Sequence, residues 1–453
     1  MHISPESVRT GQCPVPHHSS PVHTDHDRVR LYTPEFAADP HRAYRDMRER
    51  YGSMVPVELA PGVPATLVVG YRVAVRILHD PDHFPADPRG WQRHIDPGCP
   101  VLPILSWRPN ALRSAGAEHD RYRRAAIAGI DGVDLHRLHD VVERIATALI
   151  DTFSGNGSAD LLRDYAAPLA FEAINALLGC PPEIGNEIAA ATAAIFEGVD
   201  TGQADLRLAA AILRLIERKR AEPGADITSR LIAHPAGFTD EELIHQLGIL
   251  YGAGTEPTLN LITNSLLLMV TDERFAGSML DGSLSTRDAL DEVLFHDPPM
   301  ANFSVTYPRQ PILIDNTWLP ADQPVVIGLA ACNNDPEIGA GPVTGNRSHL
   351  AWGAGPHACP AKNVAYLIAQ DAVDQLLDAL PELRLAVPVP ELTWRPGAVH
   401  RARAALPGGV SPNPGGGAPR PPGAAPPLPP GPPPAPPPPP PPPLPVVFPA
   451  SPA

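Results

Sequence analysis

One cysteine, Cys359, stands between a glycine-rich loop and a segment with helical apolar spacing, and no other feature constrains this chain as much. The loop reads Ala351-Trp352-Gly353-Ala354-Gly355-Pro356-His357-Ala358-Cys359-Pro360-Ala361, and Lys362 to Val373 carries the helical period. The loop is opened by a tryptophan and closed by a histidine. A helix start offers unpaired N–H groups and the positive end of a dipole, both of which favour a thiolate over a thiol. A thiolate is a strong single-point ligand for iron. A lone cysteine is ordinarily a small buried hydrophobe; the glycines, histidine and aromatic at fixed offsets point beyond that.

The motif Trp352-x-x-Gly355-x-His357-x-Cys359 resembles the haem-binding loop of the cytochrome P450 family, Phe-x-x-Gly-x-His/Arg-x-Cys-x-Gly, with Trp for Phe and Ala361 for the last Gly. The resemblance implies haem b with Cys359 as its axial iron ligand, and a cofactor bed that includes Trp352, Gly353, Gly355 and His357. Ala117-Glu118-His119-Asp120-Arg121-Tyr122-Arg123-Arg124 is similar to a second family motif. His119 and Arg123, at i and i+4, share one helix face. Two donors so spaced can hold one anion, which the resemblance makes a haem propionate.

With 453 residues and 43% hydrophobic side chains, the chain can bury a large core. Its five cysteines have no paired spacing, which excludes a disulfide framework or a zinc site and suits a reducing cytoplasm. A net charge of −15 argues against nucleic acid as a partner. Met1 to Thr33 lacks the apolar core of a signal peptide. No run of about eighteen apolar residues predicts a membrane span, so the chain resembles the soluble bacterial members. Proline is the outlier: 24 of the 60 prolines fall in the last 47 residues. Polyproline has neither N–H donors nor an apolar face to bury, so the expectation is a disordered tail, with a possible docking role for an aromatic-grooved partner. The expected division is a flexible leader at 1–30, a haem domain at 31–407 and the proline-rich tail at 408–453.

The fold expected from this resemblance is mainly α, the cytochrome P450 fold: a large helical domain with small β-sheets. Periodicity predicts helices over Tyr71–His79, Leu135–Phe153, Leu161–Leu178, from Glu183, over Leu206–Ala221, from Thr239 to about Val270 and over Ser285–His296. Val55–Leu59 and Ala65–Val69 read as a hairpin. Residues 85–112 have no clear period and read as a loop.

Three departures from the family pattern concern the chemistry. The longest helix reads Gly252-Ala253-Gly254-Thr255-Glu256-Pro257-Thr258, where the family has Ala/Gly-Gly-x-Asp/Glu-Thr-Thr. The first Thr, which in the family assists protonation of bound dioxygen, is Pro257. Ala253 and Gly254 match the pattern and are candidate haem contacts, Gly252 and Gly254 would let haem and dioxygen approach the backbone closely, and a proton relay would rest on Glu256, with Thr255, Thr258 or water as candidates. The Glu-x-x-Arg signature reads Glu292-x-x-Phe295, so Glu292 needs another cation, Arg347 being the first candidate, or the network gives way to packing around Phe295. Thr306 stands where the family has a propionate-binding arginine, and Arg309 is at an odd offset along the strand. These departures resemble a minority of actinobacterial members that lack the Glu-x-x-Arg arginine.

The resemblance thus implies a haem-thiolate monooxygenase that inserts one oxygen atom from O2 into a small organic substrate, in secondary metabolism, with electrons from a ferredoxin-type donor. Arg113, Arg123, Arg124, Arg347 and Lys362 are the expected docking patch for that donor. Peroxide-driven turnover is one alternative. Another is an impaired haem-binding scaffold or sensor in a signalling complex.

Overall fold

A computed structural model describes residues 28–196, 201–275, 284–338 and 345–410. Its centre is the helix Asp240–Thr271, 32 residues long. Thr239 caps its start, accepting from the Glu242 N–H while the Glu242 carboxylate accepts from the Thr239 N–H, a capping box. Three acids in the first turn, Asp240, Glu241 and Glu242, sit at the positive end of the dipole. Every residue from Glu256 to Leu267 is buried or, like Pro257, lines the interior cavity, whatever helix face it occupies. Only a helix surrounded by others can be covered on all sides. Helices Ala167–Leu178, Thr201–Ala221, Thr286–His296 and Lys362–Ala379 pack around it.

The helical core is one cluster, running from Leu138 and Val142 through Tyr165 and Leu169 to Val373 and Leu376. A second core lies beneath a five-stranded sheet. Its strands follow the order Val29–Arg30, Met54–Glu58, Pro64–Val68, Val325–Gly328 and Asn302–Thr306. Met54–Glu58 and Pro64–Val68 form the expected hairpin, with Val55 opposite Leu67. A two-stranded hairpin, Ile312–Ile314 with Thr317–Leu319, turns at Asp315 and Asn316, both at positive φ as a tight two-residue turn requires. No helix among the described residues is long and apolar enough to cross a membrane.

Helix ends agree with the periodicity to within a residue or two at most of the predicted sites. Three differences are physical. Leu161–Ala166 is a wide π-type turn leading into Ala167–Leu178, started by Asp160, whose carboxylate accepts from the Leu162 N–H. The aperiodic stretch 85–112 contains two single-turn helices, Arg89–Gln92 and Leu102–Leu105. Strand pairing also extends past both ends of the expected 31–407 span. Val29 and Arg30, read as leader, pair in parallel with Val57 and Glu58. Gly408 and Gly409, read as tail, pair with Ala159 and Ser158 on one side and Leu385 and Arg384 on the other. The rest of the leader and the proline-rich run lie outside the described residues.

Candidate functional site

The loop before Cys359 is built by its glycines. Gly353 and Gly355 have φ of 67° and 66°. A Cβ on Gly355 would lie 2.0 Å from the Leu78 carbonyl oxygen, so no side chain fits there without moving backbone. The loop then closes on itself: the Cys359 N–H donates to the Trp352 carbonyl at 2.7 Å. The following helix begins at Lys362, with Ala361 as its cap. The sulfur still receives a backbone hydrogen bond, from the Ala361 N–H. Burial pushes the Cys359 thiol up, while Ala361, Arg123 and Lys362 draw it down.

Above the sulfur lies an open cleft. Cys359, Trp352 and Ala361 form its floor, and Ala253, Gly254, Pro257 and Thr258 of the long helix form its roof. Pro257 sits inside the helix without ending it. Thr258 is thus the predicted protic residue that reaches the cavity lining. Glu256 and Thr255 do not line it. The buried Glu256 carboxylate accepts from Asn260 Nδ2 at 3.1 Å and pairs with Arg395, 139 residues away. The Thr255 hydroxyl is buried without a partner.

Beside the floor, four nitrogen-rich side chains converge. The rings of His119 and His357 are 4.0 Å apart. Arg123 donates to the Ala358 carbonyl. Burial, reinforced by the charges of His119, Arg123 and Arg113, lowers His357 to about 3. His119 is lowered by burial and by Arg123, and its Nε2 is buried with no partner. The acid in reach is Asp120, 3.6 Å from His119 Nδ1, with its own side chain largely exposed. Buried donors with so little anionic compensation are costly unless an anion joins them. A cavity lined by the cysteine, with a basic cluster in the same cysteine loop and the helix beside it, fits a haem, whose propionates would supply the missing negative charge.

Behind the cysteine loop the charge network differs from the expectation. Arg347 does not serve Glu292. Glu292 pairs with Arg274 at 2.6 Å, and Arg347 Nε pairs with Asp291 at 2.9 Å. Asp291 is 1% exposed and also accepts from the Tyr366 hydroxyl at 2.5 Å, with Arg287 at 3.7 Å. The Tyr366 ring lies 5.3 Å from that of Trp352. A chain of contacts therefore runs from Asp291 through Tyr366 to the loop that presents Cys359. Phe295 instead packs edge-on against His349. The expected docking patch also shrinks. Arg113 is 2% exposed and Arg123 points inward, which leaves Arg124, Arg347 and Lys362. At the strand Asn302–Thr306, the Thr306 hydroxyl is buried without a partner, while Arg309 is exposed.

No protein-family model matches the chain. Individual proteins do. The cytochrome P450 monooxygenase PikC of Streptomyces venezuelae is 31% identical over 388 residues, 82% of this chain and 91% of PikC. The polyketide biosynthesis cytochrome P450 PksS of Bacillus subtilis is 26% identical over 310 residues, 65% of this chain and 76% of PksS. Among solved structures, CYP154C4 from Streptomyces sp. ATCC 11861 superposes with a TM-score of 0.77 at 26% identity, covering 85% of this chain and 98% of that one.

Proposed function

This chain belongs to the cytochrome P450 family, and from that premise we propose that Cys359 is the thiolate ligand of its haem and that the cavity beneath Ala253, Gly254 and Thr258 is where substrate is oxidised. The chain is a cytochrome P450 monooxygenase with haem b as cofactor, acting on a small organic substrate with a redox partner. The scaffold alternative draws no support from the relatives. Bound haem supplies the dioxygen chemistry, which a thiolate ligand favours. The observation that carries the reading is the cavity itself: a sulfur on its floor and small residues on its roof.

The roles of the chain's own residues follow from their positions. Cys359 holds iron, with the Ala361 N–H fixing the sulfur. Gly353, Gly355 and Trp352 shape the bed, and His119, Arg123 and His357 hold the haem carboxylates. Ala253 and Gly254 keep the roof low in bulk. Thr258 presents the hydroxyl that orders water at the reacting face. Glu256 supplies protons only when its pairing with Arg395 loosens, with the neighbouring Thr255 hydroxyl as its partner. The electron donor is a ferredoxin docking near Arg124, Arg347 and Lys362. Cytoplasmic residence and a role in secondary metabolism complete the reading, the latter supported by PksS, whose name places that relative in polyketide biosynthesis.

Carbon monoxide binding to the reduced protein tests the assignment. The wild type is expected to give the red-shifted Soret band of thiolate-ligated haem. Cys359→His is expected to retain haem with an unshifted band and to lose turnover with a ferredoxin couple. A red-shifted band in that variant would overturn Cys359 as ligand.

A further inference from the structure

Arg113, expected from the sequence to lie in the donor-docking patch, sits in the stretch before helix Gly116–Asp131. It is 2% exposed. Its Nη2 donates to the Ile104 carbonyl at 2.7 Å, its Nε is buried with no partner, and its guanidinium stands 5.5 Å from the Phe303 ring. No described carboxylate pairs with it; the group that favours its charge is the Tyr307 phenol. Arginine stays charged in proteins. A buried guanidinium held by one carbonyl and one ring face is far from compensated. The segment that carries Arg113 borders the basic cluster: the Ala111 carbonyl, two residues earlier, accepts from the His357 ring, and the hydroxyl of Ser304, next to Phe303, stands 3.9 Å from where a Cβ on Gly353 would lie. Phe303 lies on the strand that carries Thr306, where a buried hydroxyl also lacks a partner.

We propose that Arg113 binds a haem carboxylate through its unused guanidinium N–H, beside the basic cluster of His119, Arg123 and His357, and stands in for a cation that the strand Asn302–Thr306 does not provide. This rests on haem b as the group held here. The planar fork of arginine suits a carboxylate in two-point contact. The arrangement closes both imbalances together: the cation gains its anion, and the strand need not contribute a charged side chain. Arg113 is therefore a binding residue and not part of the donor-docking surface.

The test follows haem loss from the holoenzyme to an excess of a haem-scavenging apoprotein, with native haem or its dimethyl ester as the bound group. Arg113→Leu is expected to lose native haem roughly 10-fold faster than wild type, the equivalent of one charge-assisted hydrogen bond. Esterification is expected to accelerate loss strongly in the wild type and less in Arg113→Leu, because part of the interaction is already gone. Thr306→Arg added to Arg113→Leu is expected to restore retention of native haem but not of the ester. Arg113→Gln, close in shape, carries the same comparison if the leucine variant does not accumulate. An unchanged rate for native haem, or an identical ester effect with and without Arg113, overturns the proposal. A wild type that holds no haem overturns the haem reading itself, and is recognised by the missing red-shifted band.

Discussion

The floor and the roof of the cavity respond differently to their departures from the family pattern. On the floor, each loss is met by a neighbour. Phe295 takes the arginine's place, and the buried acid becomes Asp291, served by Arg347, Arg287 and Tyr366. Pro360 has no N–H, and the Ala361 N–H reaches the sulfur instead. On the roof, Pro257 removes a hydroxyl and no side chain moves in. Glu256 is held by Arg395, and the Thr255 hydroxyl stays unpartnered. The floor must hold an iron ligand to within fractions of an ångström, so it keeps its geometry through other residues. The roof shapes a space, and space tolerates exchange.

The strongest challenge to that contrast is Asp291→Asn. The change leaves Arg287 and Arg347 without their carboxylate and weakens the acceptor for the Tyr366 hydroxyl. Disrupting one partner of a buried pair costs about 3 kcal/mol, reduced here because the two arginine side chains are 35% and 53% exposed and can turn to water. The expected result is a loss of about 2 kcal/mol in urea unfolding, together with a fraction of unshifted carbon monoxide complex as the Cys359 loop loosens. Full retention of the red-shifted band would separate the Asp291 network from the cysteine.

His349 tests the same side through pH. It is 7% exposed, and the Ala351 N–H donates to its Nδ1 at 3.3 Å, which fixes that nitrogen as unprotonated. Burial, and less strongly Lys362 and Arg347, lowers its pKa to about 4, against Asp291, which raises it. An unfolded histidine titrates near 6.5. Between these values the unfolded chain binds the extra proton, so stability falls as pH falls from about 6.5 towards 4. The full shift corresponds to about 3 kcal/mol. In His349→Phe, which keeps an aromatic beside Phe295, the pH dependence of unfolding between pH 7 and 4.5 is expected to flatten by up to about 2 kcal/mol. An equally steep profile in the variant would move the acid sensitivity elsewhere.

How much of this was legible in the sequence depended on contiguity. The cysteine loop, the helix with the His119–Arg123 pair and the long helix each lie in one stretch, so spacing reveals them. The helical period also located nearly every major helix. The Asp291 network draws on residues 287, 291, 347 and 366, and no local pattern joins them. Glu292 was the natural choice for the buried acid because it fits the motif, yet helix phase turns it outward to Arg274 and turns Asp291 inward. Arg113 reads as part of an exposed docking patch because arginines are ordinarily exposed and no local pattern marks this one as buried. The pairing of Glu256 with Arg395 spans 139 residues. The signal that was available was the run Trp394-Arg395 with Arg401 and Arg403: cations spaced to flank one tryptophan, whose ring lies 3.3 Å and 3.5 Å from the two later guanidinium carbons.

The smallest expected stability effect falls on the roof and is the sharpest probe of function there. Arg395 is 41% exposed, so solvent screens its pairing with Glu256, and Arg395→Ala is expected to cost no more than about 1 kcal/mol. Its consequence for turnover is larger if Glu256 is a proton donor held in check. Freed from the arginine, the carboxyl group is left buried with the Asn260 amide as its partner. A carboxylic acid one residue from Pro257 would then take the place of the absent hydroxyl. The expected outcome is a higher share of reducing equivalents in product and a lower share in peroxide, while Arg395→Ala,Glu256→Gln returns to the wild-type ratio. Unchanged coupling in the single variant would assign Glu256 to the tether between the long helix and the C-terminal segment, and would leave Thr258 as the protic side chain of the roof.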